Sequence, residues 1–433
     1  MFLRTIFPLC LASLAMAAPL HVQQAGFKPA ADGLPVGWRT WAARPEIAPR
    51  TFVDLVHYRN APGSLAISGN TNAAEYGGWE YAAAGIQPGK WYRFVAYYRA
   101  EGVQDERRQV VSRLDWSKAD GTRTGQPDYV YAAERTAEWT RVSVDAPAPE
   151  LAASVKLQLY LQNAPYATIW WDDISLEEIA APGARPVRVA SINLRPRDTH
   201  SAEQSVSEFI AVIRKSVANA DLILLPEGIT VVGTGKHYPD VAESIPGPTT
   251  ERLAQVAREK HAYIVAGIYE RDGAAIYNTA VLIDRAGRFI GKYRKVYLPR
   301  EEIEGGLTPG NDYPVFRTDF GKVGMMICWD LQYADPARAL ALRGAEVILM
   351  PIWGGNEALA KARAIENQVF LVSSGYDYPT SIVDPAGELL AITREPGTVA
   401  TATIDLNRRY VDNWLGDMRE RFMKELRLDV RVE

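Results

Sequence analysis

The chain has 433 residues, of which 47% are hydrophobic and 23% charged, with 48 lysines and arginines against 52 aspartates and glutamates. This length predicts two or three domains, and the composition excludes a chain that is mostly disordered. The formal net charge of −4 offers no basic footprint for nucleic acid, and two cysteines are too few for a disulfide framework.

The chain begins with the pattern of a secretory signal peptide. Arg4 precedes an apolar run over residues 5–14, which is followed by small residues at 15–17. A membrane-spanning helix needs about 20 apolar residues, and this run is shorter. We therefore expect residues 1–17 to be a cleaved signal peptide and the mature protein to be exported, either periplasmic or secreted, with Cys328 as its only thiol.

Residues 20–182 contain short runs of alternating polar and apolar residues, separated by turn sequences and without a helical stretch. This pattern predicts an antiparallel β-sandwich, or jelly roll. Eight of the 11 tryptophans lie before residue 185. Aromatic residues in half-buried strands usually pack, so we favour a core role for these tryptophans over a sugar-binding role.

The pattern changes after a segment rich in proline and glycine at 179–188. Predicted strands and helices then alternate along the chain, at 187–194, 201–219, 221–227, 250–261 and 262–270. Such alternation indicates α/β layers. We expect residues 186–433 to form a second domain, and this domain to carry the chemistry.

Three polar residues, Glu227, Lys295 and Cys328, follow strongly apolar or aromatic runs. Each alone could be structural, because buried cysteines, capping glutamates and solvated lysines are common. Together they supply a general base, a cation for an oxyanion and a nucleophile. No two histidines have the spacing of metal ligands, so no catalytic metal is predicted. A structural Ca²⁺ at Asp172 or Asp173 in the first domain stays open.

Six segments carry a family resemblance, and they occur in the family's order: LLPEG (224–228), GKYRKVYLP (291–299), GMMICWDLQYADPAR (324–338), RGAEVILMP (343–351), ARAIENQVFLV (362–372) and SIVDPAGELLA (381–391). On these segments the second domain resembles the carbon–nitrogen hydrolase (nitrilase) superfamily. The resemblance implies a four-layer αββα sandwich and a catalytic triad of Glu227, Lys295 and Cys328. It also implies that no cofactor is needed and that the chain forms a homodimer or a larger homo-oligomer.

The family often has a second catalytic glutamate after the lysine. Here we favour Glu304 for that role, with Glu302 as the alternative. For substrate binding, the resemblance points to Trp353 and Asn356 after a predicted strand, and to Trp329, whose backbone N–H would help Lys295 to hold the oxyanion.

Two further expectations concern the surroundings of the nucleophile. We expect the Lys295 ammonium to favour the thiolate of Cys328. We also expect Asp330 and Arg338 to form an ion pair that fixes the turn after Cys328.

These features predict an exported hydrolase of small amide-type substrates, which cleaves a non-peptide linear C–N bond in an amide or N-carbamoyl compound through a thioester on Cys328. An N-acyltransferase and a nitrile hydrolase are the alternative enzymes. The first domain resembles galactose-binding-like jelly rolls and carbohydrate-binding modules in GKWYRFVAYYRAEG and WWDDISLEE. The first domain could therefore contact a carbohydrate. A non-enzyme alternative also stays open, namely a glycan-binding protein whose hydrolase scaffold is inert.

Overall fold

The structure is a computed structural model that describes residues 21–430. The predicted signal peptide lies outside the described residues. The chain divides between Ala181 and Pro182 into two compact units, and short C-terminal segments at 413–416 and 424–430 belong to the first unit. Within the described part of the chain, no helix has the length and apolar character needed to cross a membrane.

The first unit consists almost wholly of strands. They are β1 (His21–Gln24), β2 (Trp38–Ala42), β3 (Arg50–Asp54), β4 (Ser64–Ser68), β5 (Tyr76–Ala84), β6 (Trp91–Glu101), β7 (Val110–Ser117), β8 (Asp128–Tyr129), β9 (Ala132–Thr136), β10 (Trp139–Pro147), β11 (Ser154–Gln162) and β12 (Thr168–Ile179). A one-turn helix, α1 (Glu106–Gln109), and a short 3-10 helix, Pro45–Ile47, interrupt them. One sheet has the order β3-β4-β12-β6-β10-β9 with β1 beside β12, and the other has the order β2-β5-β11-β7-β8.

The core of the first unit follows from the two-residue period of its strands. In β11, Val155, Leu157 and Leu159 are fully buried and join one apolar cluster with residues of both sheets. The predicted packing role of the tryptophans holds for most of them. Six of the eight are buried, namely Trp38, Trp79, Trp116, Trp139, Trp170 and Trp171.

The second unit alternates helices and strands. Its elements are β13 (Pro186–Asn193), α2 (Ala202–Ser216), β14 (Leu222–Leu224), α3 (Tyr238–Val241), α4 (Pro248–Lys260), β15 (Tyr263–Asp272), β16 (Ala275–Ile283), β17 (Phe289–Arg294), α5 (Arg300–Glu304), β18 (Val315–Arg317), β19 (Lys322–Met325), a 3-10 helix (Cys328–Gln332), α6 (Asp335–Leu342), β20 (Val347–Pro351), α7 (Glu357–Asn367), β21 (Phe370–Ser374), β22 (Thr380–Val383), β23 (Leu389–Thr393) and β24 (Thr398–Asp405). The short strands β25 (Val411–Asp412) and β26 (Gly416–Asp417) and helix α8 (Met418–Glu425) follow.

Two six-stranded sheets form the middle layers of the second unit, in the orders β17-β16-β15-β14-β13-β24 and β18-β19-β20-β21-β22-β23. Apolar residues of both sheets, such as Leu224 and Leu349, form one buried cluster between them. Helices α2 and α4 pack on the outer face of one sheet, and α6 and α7 pack on the outer face of the other. The predicted helix–sheet–sheet–helix layering of the second unit is therefore confirmed.

The local sequence of α2 shows why these helices form where they do. The Ser201 side chain caps the helix by accepting a hydrogen bond from the backbone N–H of Gln204. Val206, Phe209 and Ile213 recur at helical spacing and are fully buried. Burying each such side chain stabilises the fold by about 1.5–3 kcal/mol.

Candidate active site

The three predicted residues lie at the carboxyl ends of their strands or just beyond. Glu227 follows β14, Lys295 follows β17 directly, and Cys328 follows β19. Lys295 Nζ lies 2.9 Å from Glu227 Oε1, and both side chains are almost fully buried. The charges of Glu227 and Lys295 both act on the Cys328 thiol. The fold therefore gathers residues that are 68 and 33 positions apart in the sequence.

Cys328 occupies a strained position at the start of a 3-10 helix. Its φ is 43°, in the left-handed region that residues other than glycine adopt at a cost of about 1–3 kcal/mol. Its Sγ lies 3.7 Å from the backbone carbonyl oxygen of Gly354. A sharp turn after an apolar strand is a recurrent way to project a nucleophile out of a sheet.

Two further residues complete a buried network around Lys295. Glu302 Oε2 lies 2.9 Å from Lys295 Nζ. Asn278 Nδ2 donates to Glu227 Oε1 and to Glu302 Oε1, at 2.7 Å each. One ammonium and one amide group therefore hold two carboxylates in a fixed arrangement.

The sequence preference for Glu304 as the second glutamate is corrected by this geometry. Glu304 pairs with Arg300 at 2.8 Å, and its side chain is 61% exposed. Glu302 is only 5% exposed and reaches the lysine. The reason is the phase of α5, because residues two apart on a helix lie on nearly opposite faces.

Burial and charge act against each other on Lys295. Burial alone would lower the pKa of Lys295, but the charges of Glu227, Cys328 and Glu302 outweigh it and raise that pKa. Lys295 is therefore an ammonium at neutral pH. Burial, reinforced by the Glu227 charge, raises the pKa of Glu302 despite the attraction of Lys295.

One carboxylate oxygen of Glu227 forms no hydrogen bond in this network. Oε1 accepts from Lys295 and Asn278, whereas Oε2 is buried and has no hydrogen-bond partner within residues 21–430. A buried acceptor without a partner is costly and rare in folded proteins. This oxygen is available to accept a proton from a neighbouring group.

Lys295 acts on Cys328 in the expected direction, because its charge lowers the pKa of the thiol, but other effects outweigh it. Burial, together with the Glu227 charge, raises the pKa of Cys328 to about 12, and the opposing effect of Lys295 is smaller. Cys328 is therefore a neutral thiol at neutral pH. Its reaction as a nucleophile requires a base, and Glu227 is the carboxylate whose charge acts on it.

The predicted ion pair of Asp330 and Arg338 does not form. Asp330 is fully buried, and its carboxylate accepts from Ile327 N at 2.8 Å, from Tyr297 N at 3.0 Å and from Tyr293 Oη at 2.7 Å. Burial raises the pKa of Asp330 to about 6. Because Tyr293 and Tyr297 flank Lys295, Asp330 ties the segment that carries the lysine to the turn that carries the nucleophile.

The predicted substrate-binding residues have different surroundings. Trp329 is 38% exposed beside the nucleophile. Trp353 packs edge-on against Tyr376, with ring centroids 4.8 Å apart. Asn356 caps α7, because its Oδ1 accepts from Ala358 N at 2.9 Å, and this hydrogen bond gives it a structural role.

Sequence reasoning assigned no place in the network to Asn278 or Tyr376. Tyr376 Oη donates to the backbone oxygen of Glu227 at 2.8 Å and so fixes the segment that carries the carboxylate. For Asn278 a signal was present in the sequence. It is a polar residue within the strongly apolar strand β16, and a fully buried amide requires hydrogen-bond partners.

The described residues contain no group of three or more histidine, cysteine, aspartate or glutamate side chains that could hold a metal ion. The chemistry open to the site is therefore that of a thiol, a lysine and two carboxylates.

A family model for carbon–nitrogen hydrolases matches residues 188–411. The chain is 33% identical to omega-amidase NIT2 of Xenopus tropicalis over 230 residues, which are 46% of this chain and 80% of that protein. It is 31% identical to omega-amidase NIT2 of Bos taurus over 251 residues, which are 51% of this chain and 89% of that protein. The solved structure of an amidase from Nesterenkonia sp. is 24% identical in sequence and has a TM-score of 0.45. The match covers 53% of this chain and 95% of the amidase chain.

The matched residues 188–411 make up slightly more than half of the chain and include Glu227, Lys295, Glu302 and Cys328. The relatives named above are amidases, and the matched region contains the buried network. The chain belongs to the carbon–nitrogen hydrolase family and is an amidase-like enzyme that hydrolyses C–N bonds.

Proposed function

We propose that the enzyme hydrolyses a small linear amide or N-carbamoyl compound through a thioester on Cys328, with Glu227 as the general base. The observation that carries this proposal is the unbonded, buried Oε2 of Glu227, whose charge acts on a neutral thiol. A nucleophile with a raised pKa reacts only if a base removes its proton, and this oxygen has no other partner in the described residues.

In the first half of the reaction, Glu227 Oε2 takes the proton of the Cys328 thiol as Sγ attacks the amide carbon. The tetrahedral oxyanion is held by Lys295 and the backbone N–H of Trp329. An ammonium has three N–H donors, and the contacts to Glu227 and Glu302 leave the third for this oxyanion. Glu227 then gives its proton to the leaving nitrogen, so that ammonia or an amine departs and the thioester remains.

In the second half, Glu227 accepts a proton from water as the hydroxide attacks the thioester carbon. The carboxylic acid leaves, and the proton on Glu227 returns to the thiolate. Glu302 is a positioning residue, since it contacts Lys295 and shares the Asn278 amide with Glu227. Loss of one oxyanion donor typically lowers kcat by about 10²–10³-fold.

The direct test measures ammonia release from primary amides, N-carbamoyl compounds and nitriles, with Cys328→Ala in parallel. We expect release by the wild type and none by Cys328→Ala, and the best compound names the substrate class. Glu304→Gln is the matched control, because Glu304 is exposed and forms its ion pair with Arg300 rather than with Lys295. Equal activity of Cys328→Ala and wild type would contradict the proposal.

The thioester has its own test, by intact-mass measurement after rapid acid quenching. We expect a mass increase equal to that of the acyl group in the wild type and none in Cys328→Ala. A product acyl group found on an added amine, rather than on water, would favour the N-acyltransferase alternative. Ammonia released only from nitriles would favour the nitrile hydrolase.

Export of the enzyme is proposed from its N-terminal sequence alone, through the apolar run at 5–14 and the small residues at 15–17. Expression of the full chain in a bacterium should yield a periplasmic or secreted protein whose mass corresponds to loss of residues 1–17. A cytoplasmic protein of full mass would contradict export.

Assembly through the outer helices of the sheets is proposed for the second unit. Ile365 on α7 supports this assembly, because 47% of this large apolar residue is exposed in the single chain. Light scattering should give the mass of a homodimer or larger assembly, and a monomer at micromolar concentration would contradict it.

For the first unit, the proposal is a galactose-binding-like β-sandwich that contacts a carbohydrate. Its support is the pair of antiparallel sheets around one core. Binding of sugars to the full chain, measured by calorimetry, tests this proposal.

A further inference from the structure

The first unit contains a cavity of about 320 Å³. Residues of β5, β7 and β8, the end of β11 and the C-terminal segment 424–427 line it, and all of them belong to the first unit. This volume lies at the lower end of the range for small-molecule sites. The cavity has no part in the chemistry described above.

The charge of the lining is unbalanced. Four cationic side chains, Arg108, Arg113, Lys424 and Arg427, face the cavity together with the single carboxylate of Glu425. Clustered cations repel one another, and a site with this excess is stabilised by a bound anion.

Two of the four cations are already matched by a carboxylate. Arg427 forms a bidentate pair with Asp429, at 2.7 and 2.8 Å. Arg108 lies 3.5 Å from the same carboxylate and donates to Asn163 Oδ1 at 3.3 Å. One aspartate thus serves both guanidinium groups, whereas no carboxylate of the described residues pairs with Arg113 or Lys424.

Arg113 is held by aromatic and phenolic groups rather than by a carboxylate. It donates to Tyr76 Oη at 3.0 Å, and its guanidinium carbon lies 5.5 and 5.4 Å from the ring centroids of Tyr129 and Tyr160. Its Nε is buried and has no hydrogen-bond partner among the described residues. A guanidinium that is held in place by these aromatic and phenolic groups can bind a carboxylate with two parallel hydrogen bonds.

Lys424 is a nearly buried ammonium, and the charge of Asp105 acts on it only from beyond ion-pair distance. Lys424 is 8% exposed, and its Nζ donates to the backbone oxygen of Val110 at 2.8 Å. Within residues 21–430 no carboxylate lies within ion-pair distance of it. Burial, with the Arg107 charge adding, lowers the pKa of Lys424 to about 8. Burying an unpaired charge is costly, and a bound anion removes that cost.

We propose that this cavity binds a small organic anion that also carries hydroxyl groups, such as a sugar acid, with its carboxylate between Arg113 and Lys424. The amide groups of Gln162 and Asn163 and the phenol of Tyr129 also line the cavity. These groups donate and accept hydrogen bonds, as hydroxyl groups require. Charge, in this proposal, distinguishes the ligand from a neutral sugar of the same size.

The test is isothermal titration calorimetry on the mature full chain, with glucuronate, glucose and inorganic phosphate as probes. Glucose lacks the carboxylate of glucuronate, and phosphate lacks its carbon-bound hydroxyl groups. The variants are Arg113→Gln and Lys424→Met. Arg93→Gln is the matched control, because Arg93 lies on β6 of the other sheet and pairs with Asp145 at its surface.

We expect glucuronate to bind at least tenfold more tightly than glucose or phosphate. The Kd should rise at least tenfold in Arg113→Gln and in Lys424→Met and stay within twofold of wild type in Arg93→Gln. Scanning calorimetry should show the cooperative unfolding of the first unit in both variants, which reports that this unit folds, and the ammonia release of the second unit should be unchanged. Absence of glucuronate binding, equal binding of glucose or phosphate, or an unchanged Kd in Lys424→Met would each overturn the proposal.

Discussion

Each unit of the molecule buries one lysine ammonium, and the two are held in opposite ways. Lys295 in the second unit is 1% exposed and lies 2.9 Å from the carboxylates of Glu227 and Glu302. Lys424 in the first unit is 8% exposed, and its Nζ donates to the carbonyl oxygen of Val110, with no carboxylate of the described residues at ion-pair distance. The pKa of Lys295 is raised despite burial, whereas burial lowers that of Lys424 to about 8. The presence or absence of neighbouring carboxylates therefore decides whether the pKa of each of these buried lysines is raised or lowered.

The difference separates two kinds of site. The second unit supplies the counter-charges of Lys295 itself, so its charges are in place before substrate arrives, which is what electrostatic catalysis requires. In the first unit, no carboxylate within residues 21–430 forms an ion pair with Arg113 or Lys424, and in our proposal the ligand supplies one. The following predictions test this contrast.

Replacing each lysine by methionine should give the largest difference. Lys295→Met leaves two buried carboxylates uncompensated, so we expect the free energy of unfolding of the second unit to fall by about 3–5 kcal/mol at pH 8. Lys424→Met removes an ammonium that no carboxylate needs, and the change should be within about 1 kcal/mol. Scanning calorimetry of both variants and the wild type measures these changes in stability. Ammonia release should be lost in Lys295→Met and kept in Lys424→Met.

The pH dependence provides a control for Lys295→Met. Without the ammonium, the pKa of Glu302 rises further, so the folded variant binds a proton that the unfolded chain releases. Its stability deficit should therefore shrink as the pH falls from 8 to 5. A deficit independent of pH, or an equal loss in Lys424→Met, would contradict the assignment of counter-charges.

Glu302 and Glu304 on α5 give the next largest contrast. Glu302→Gln removes the charge that faces Lys295, and we expect kcat to fall by roughly 10–10²-fold. Glu304→Gln removes an exposed partner of Arg300, and kcat should change by less than about twofold. Steady-state ammonia release measures both. Equal effects would show that the position of Glu302 beside Lys295 has no catalytic consequence.

Glu302 and Glu304 also show how much of the candidate site can be predicted from the sequence. Glu227, Lys295 and Cys328 are predictable because each ends or follows a recognisable apolar or aromatic run within a family motif. The choice between Glu302 and Glu304 depends on the phase of a five-residue helix. Boundaries of such short elements are not fixed by hydrophobic period, so the sequence left both open.

The layers of the second unit were predictable because strands and amphipathic helices alternate over long stretches of its sequence. The cavity of the first unit was not. Arg113 lies in the middle of β7 and Lys424 near the end of the chain, 311 positions later. Only the fold brings them to one cavity, and no local pattern marks either residue as unpaired.

Asp330 should have a smaller effect that reaches the site indirectly. Asp330→Asn replaces one acceptor oxygen by an amide group, which cannot accept from both Tyr297 N and Ile327 N. We expect a loss of about 1–3 kcal/mol in stability and a fall of about tenfold in kcat with KM nearly unchanged, because the nucleophile turn shifts relative to Lys295. The control is Asp335→Asn, which alters the exposed partner of Tyr297 Oη. A change in KM alone would contradict this positioning role.

The smallest expected effect is a shift in the pKa of Cys328. Glu227 raises that pKa and Lys295 lowers it. Glu227→Gln removes the first effect and keeps the second, so the pKa should fall below about 12, by roughly one or two units. The thiolate absorbance followed against pH, with Cys328→Ala as the blank, measures this shift. Hydrolysis should be lost although more thiolate is present, because a glutamine at position 227 cannot carry a proton to the leaving nitrogen. A pKa that stays the same or rises would mean that the Glu227 carboxylate does not act on the thiol, and the proposed proton transfer would then fail.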